Sequence, residues 1–384
     1  MMTSPKKVFK EIELWKPSSE VTINHLLNYS KQKNKLLVFL HDLVKVENFP
    51  DRKDGQPHLT HPVNVATYLQ RAKADFLDVA AGLIHDRLED KVDAVIASSQ
   101  IDNVAQLELD LTTELEDLLS DKCQSLELPS TYSRSLIQTT ELLTRHKRHN
   151  YYRSLGEMFS CDNQTIQERA IRVKLADRMH NIQSLSAFNE KDQIYQAFKN
   201  LFILNNVKSY LVETGQVTTT DLILTRRKNA TEKLFRKCLK ATYDAFLSIC
   251  HDSLDKDIKD IEPYIQVFYH KYENQSRKMK KISDWDDQEA HPLKLFDGIV
   301  KKYDARLHKE TAEFRRRQQR EVKFCNQLFS DFELTPAQVE AVVDYKDAYL
   351  MKEVTGRFYD EKYFVKNFGC GKLCSRNRIC VSNE

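Results

Sequence analysis

Residues 75–90 read D-F-L-D-V-A-A-G-L-I-H-D-R-L-E-D. Phe76, Val79, Ala80, Leu83 and Ile84 recur at helical spacing, and Asp75 stands where a helix cap belongs. The apolar stripe therefore predicts a buried helix that delivers His85 and Asp86 beside a core. Glu89 lies four residues after His85 and Asp90 four after Asp86, a spacing that puts both acids on the dipeptide's helix face. Four titratable groups beside an apolar stripe cost several kcal/mol, on the order of a buried unpaired charge, unless something compensates them. A divalent cation is a natural partner.

Two more ligands can be proposed from the chain. His61 opens a helix in L-T-H-P, and Asp177 lies within V-K-L-A-D-R-M-H-N. With His85 and Asp86 they give two imidazoles and two carboxylates, a mixture that suits Mn²⁺, Fe²⁺ or Zn²⁺ better than Ca²⁺ or Mg²⁺. Glu89 and Asp90 would then orient a water molecule and accept its proton.

The rest of the sequence sets the scaffold. The 384 residues include only 8 Gly and 9 Pro, with 41% hydrophobic residues, so an all-α protein is expected. Helices are read at 26–46, from Pro62 through Val63, Ala66 and Leu69, and over 170–185, with a loop at 50–57. These form an N-terminal domain over residues 1–212. Gly215, Gln216 and Thr218 to Thr220 mark a linker over 213–228. Phe235, Leu239, Phe246 and Ile249 restart a helical pattern, so 229–363 reads as a second helical domain, its late helix capped by Thr335 and begun by Pro336. Residues 364–384 form a basic tail carrying Cys370, Cys374 and Cys380, read as flexible.

Net charge is +3, from 59 basic and 56 acidic residues, which gives no global field for nucleic acid or an anionic membrane. No window has the length of a membrane span, and the N-terminus lacks the apolar stretch of a signal peptide. The eight scattered cysteines fit a reducing, cytoplasmic compartment. Arg315, Arg316, Arg317 and Arg320 form a basic run read as a solvated face. His41-Asp42 and His251-Asp252 repeat the dipeptide, so it says little by itself and context must choose, and the first is read as helix surface.

Four segments in order, R-K-D-G-Q-P-H-L-T-H-P-V-N-V-A, A-A-G-L-I-H-D-R-L-E-D, L-T-R-H-K and V-K-L-A-D-R-M-H-N, resemble the HD-type hydrolase domains of RelA/SpoT proteins over roughly residues 35–190. The resemblance implies an HD helical bundle that hydrolyses the 3′-pyrophosphate of guanosine tetra- or pentaphosphate with Mn²⁺. By the same resemblance His61, His85, Asp86 and Asp177 match the metal ligands, and Glu89 and Asp90 match the catalytic acids. Arg52, Lys53, Asn181 and Ser184 match positions around the guanine nucleotide. This chain departs from the pattern at His58, where the family has Tyr, and at Lys91 and Ser184, where it has Thr. Beyond residue 225 no strand-rich, glycine-bearing pattern resembles the family's synthetase domain, so synthesis of the alarmone is not expected. Two other readings stay open: the same centre acting on another nucleotide or an NADPH-like phosphate, and a nucleotide-binding module without turnover.

Overall fold

The computed structural model describes residues 5–45, 51–149, 151–214, 229–252, 261–268, 270 and 293–358, and the chain is all-α, with no strand among these residues. Its contacts divide it into two compact units, one comprising 14–187 with 226–238, the other 1–13, 188–225 and 239–384.

The first unit contains α2 (Lys31–Leu43), α3 (Thr60–Ala72), α4 (Phe76–Ile84), α5 (Arg87–Ser98), α6 (Val104–Ser125), α7 (Ser130–Leu143), α8 (Tyr151–Phe159) and α9 (Gln164–Gln183). At its centre is α4, packed on α2, α3, α7 and α9. Apart from Leu77 every residue of this helix is buried, as its nearly continuous apolar sequence requires. The predicted cap is present. The Asp75 carboxylate accepts from the Asp78 amide at 2.8 Å, and the Asp78 carboxylate accepts from the Asp75 amide at 2.9 Å. Asp78 is wholly buried and also meets Arg172 at 2.9 Å and Arg169 at 3.3 Å, which ties α4 to α9. Gly82 permits the close approach of α3, since a Cβ there would stand 2.5 Å from Leu69 Cδ1 and 3.4 Å from the Ala66 Cα.

Several boundaries differ from the sequence reading. The helix expected from Leu26 begins at Lys31, because Ile23–Leu26 forms a separate 3₁₀ turn and Ser30 takes the extended N-cap conformation. α3 starts two residues before Pro62, whose missing N–H is harmless in a first turn. The dipeptide is not inside one helix: His85 caps the end of α4 and Asp86 precedes α5, so the chain turns at the two residues.

The second unit holds α1 (Pro5–Lys10), α10 (Glu190–Glu213), α12 (Leu293–Leu307), α13 (Thr311–Leu328) and α14 (Pro336–Arg357). α11 (Ala230–Asp252) contributes its residues from Leu239 onward. The units divide after Ala187 rather than near residue 212. The cause is α10, which is apolar on more than one face: Phe198, Leu201, Phe202, Leu204 and Val207 are fully buried. Phe198 stacks on Tyr303 at 5.1 Å and Asn200 donates to Thr242 at 3.1 Å, all within this unit. Thr335 caps α14 with Pro336 at its start, as the sequence predicts. Lys302 and Lys346 are buried in this core with Glu321 and Asp347; Lys302 lies 2.7 Å and Lys346 2.8 Å from Glu321. Residues 215–228 of the expected linker and the expected tail lie outside the described residues. Among the described residues no helix is long and apolar enough to cross a membrane.

Candidate functional site

The start of α3, the α4–α5 turn and the middle of α9 converge in the first unit. His61 and His85 are buried, their Nε2 atoms 3.2 Å apart. Asp86 Oδ2 lies 3.0 Å from His85 Nε2 and 3.5 Å from His61 Nε2. Asp177 Oδ1 lies 3.4 Å from His61 Nε2 and 4.0 Å from His85 Nε2. One donor atom each from His61, His85 and Asp86 falls within 4.8 Å of the others. The four residues matched to metal ligands therefore meet at one point.

The outer nitrogens explain which atoms face inward. His85 Nδ1 donates to the Gly82 carbonyl at 2.9 Å, which leaves Nε2 as the nitrogen that faces His61. His61 Nδ1 lies 3.0 Å from Nδ1 of His180. Burial, then the charges of His61 and Arg52, hold His180 down to about 2, so it is neutral and its Nδ1 can accept. The His180 Nε2 has no hydrogen-bond partner among the described residues, so the ring's polar role is toward His61. Two imidazole Nε2 atoms facing each other at 3.2 Å call for a proton or a metal ion between them. Two metal–nitrogen bonds of typical length, roughly at right to tetrahedral angles, hold nitrogens about 3.0–3.4 Å apart. The donor set fits a transition-metal ion in both chemistry and spacing.

The field agrees. Burial opposes a charge on His85, yet Asp86 and then Asp177 raise it to about 9. Burial likewise opposes the Asp177 carboxylate, but Lys174, 2.9 Å away, and His61 hold it well below the usual range. The centre gathers positive charge at its middle.

Beside it is a cavity of about 230 Å³ lined by Asp86, Glu89, Asp90, Asp177 and Asn181. Glu89 accepts from Arg145 at 2.9 Å, and Asp90 lies 3.1 Å from His58 Nε2. Burial raises Asp90 above the ordinary carboxyl range, against the opposing pull of His58. Leu142 of α7 and Ser154, Leu155 and Met158 of α8 also line the cavity. The buried Ser154 hydroxyl has no hydrogen-bond partner among the described residues.

No protein-family model matches the chain. It is 25% identical over 257 residues to a GTP pyrophosphokinase of Myxococcus xanthus, covering 62% of the chain and 30% of that protein. A guanosine-3′,5′-bis(diphosphate) 3′-pyrophosphohydrolase of Borreliella burgdorferi is 26% identical over 170 residues, 42% of the chain and 22% of the relative. The bifunctional (p)ppGpp synthase/hydrolase SpoT of Escherichia coli is 27% identical over 173 residues, 43% of the chain and 21% of the relative. The chain is of RelA/SpoT type. These relatives are hydrolases and synthetases, and the chain corresponds to less than a third of the length of each.

For a RelA/SpoT-type chain the matched substrate residues fare unequally. Arg52 donates to the Asn181 side-chain oxygen at 2.9 Å, and Asn181 donates to Asp177, so both are joined to the centre. Lys53 is exposed and is not among the residues lining the cavity. Ser184 caps α9, where its hydroxyl donates to the Asn181 carbonyl at 3.2 Å, and it also stands off the wall. Residues the sequence reading left without a role join the site instead: Arg145 from the L-T-R-H-K segment, Lys174, His58 and His180. All four sit inside quoted motifs, which was a usable signal. The α8 wall carried none, because its side chains are ordinary for any amphipathic helix.

Proposed function

We propose that the chain hydrolyses the 3′-pyrophosphate of guanosine tetra- or pentaphosphate to GDP or GTP and pyrophosphate, using Mn²⁺ held by His61, His85, Asp86 and Asp177. The observation that carries this is the paired Nε2 atoms at 3.2 Å flanked by two carboxylates at the edge of a cavity that also holds Glu89 and Asp90. A bound divalent ion supplies Lewis-acid activation of water and of a phosphoryl oxygen.

The chain's own residues do the rest. Asp90, its carboxyl raised by burial, takes the proton released as water attacks, and His58 at 3.1 Å holds that carboxyl in place. Glu89, fixed by Arg145, orients the attacking water. Lys174 and Arg145 place positive charge beside the phosphate oxygens, where negative charge builds as the water oxygen bonds to phosphorus and the bond to the ribose 3′ oxygen breaks; that oxygen leaves as the hydroxyl, taking the proton Asp90 accepted. Leu142, Leu155 and Met158 keep bulk water from the part of the cavity they line. A second reading, in which the same centre acts on another nucleotide, is favoured by one observation: Lys53, matched to the basic pair near the nucleotide, and Ser184, matched to the base and ribose pocket, are off the cavity wall.

Chromatography of products from guanosine tetraphosphate, GTP and NADPH separates the readings. GDP and pyrophosphate from the tetraphosphate, with GTP and NADPH untouched, is the expected result. Turnover of either of the others in preference to the tetraphosphate contradicts the alarmone assignment while keeping the centre.

A further inference from the structure

The second unit contains a cavity of about 320 Å³ unrelated to the metal centre. Lys191, Arg306, Lys309 and Arg315 stand on its wall against a single lining carboxylate, Asp344. The structure divides the basic run 315–317 unevenly. Arg316 and Arg317 pair with Glu313 at 2.6 and 2.7 Å, whereas Arg315 turns to the cavity and has no ion-pair partner among the described residues. Lys309 has none either, and its backbone is held at φ 64°, in the left-handed region that costs a non-glycine residue about 1 kcal/mol. Arg306 is fixed in orientation, its guanidinium 3.8 Å from the Tyr195 ring centroid and 2.7 Å from Asp192. Lys191 is 3.9 Å from Asp344, leaving that acid to answer more than one cation.

Like charges gathered around a concavity raise its potential and are relieved by an anion. Planar guanidinium groups match phosphate oxygens in pairs, and several cations together favour an anion of more than one charge. We propose that this cavity binds a pyrophosphate group, free or carried on a nucleotide. Ile194 and Phe314 give it an apolar flank beside the cations. The site is independent of the reading given to the metal centre and would make the second unit a sensor of phosphorylated ligands.

The test is calorimetric titration of inorganic pyrophosphate, and separately of GTP, into the metal-stripped full chain, beside an Asp86→Ala chain and a Lys309→Gln, Arg315→Gln double variant. Both substituted cations are exposed, and thermal melts check that the double variant keeps the fold. One saturable pyrophosphate site, kept in Asp86→Ala and weakened about tenfold or more in the double variant, is the expected result. GTP binding as tight as pyrophosphate or tighter assigns the nucleotide-borne group, and weaker GTP binding assigns the free one. No saturable binding, or binding undiminished in the folded double variant, overturns the proposal.

Discussion

His61 and His85 present their Nε2 atoms to each other across 3.2 Å, while the opposite nitrogen of each ring is engaged by His180 and by the Gly82 carbonyl. Neither ring can turn away without losing a buried hydrogen bond. The centre is thus set by residues that would never touch the metal, and its properties should respond to them.

His180 is the more informative of these. Losing such an outer partner typically weakens metal binding about 10–100-fold. His180→Leu should show that loss in Mn²⁺ titration, and His180→Gln, which keeps an acceptor, should recover part of it. Equal affinities in wild type and His180→Leu would contradict the role.

Asp90 sets the acid side of the pH profile. Its folded pKa lies above the ordinary 3.8 because burial outweighs His58, and only its ionised form accepts a proton, so turnover should fall as pH drops through that raised value. Since His58 lowers this pKa, His58→Gln should move the limb to higher pH. Asp90→Asn should lower kcat by roughly 10²–10⁴-fold and abolish the limb. A limb unmoved in His58→Gln would show that another group controls it.

Gly82 tests the packing behind the centre. Gly82→Ala forces the buried Leu69 side chain aside, which should cost about 1–3 kcal/mol and lower the melting temperature. An unchanged melt would mean that α3 and α4 have slack at their crossing.

The helical class, the cap at Asp75 and the cap at Thr335 were legible because each depends on local residues. The meeting of His61, His85, Asp86 and Asp177 was legible through motif order and not through spacing, since 116 and 91 residues of sequence separate His61 and Asp86 from Asp177. The turn at His85 and Asp86 was hidden because both residues keep near-helical dihedrals, so the periodicity passes through it. The unit boundary was hidden by α10, whose apolar faces read equally well as the end of one core or the start of another. The pairing of Arg145 with Glu89 spans 56 residues and follows from packing alone.

The most direct measurement of the central claim is pyrophosphate release from guanosine tetraphosphate by the metal-stripped chain, before and after Mn²⁺ is restored, with Asp177→Asn in parallel. The account predicts no release without metal, release on restoration, and none from the folded variant. Equal release with and without metal, or undiminished release by Asp177→Asn, would contradict it.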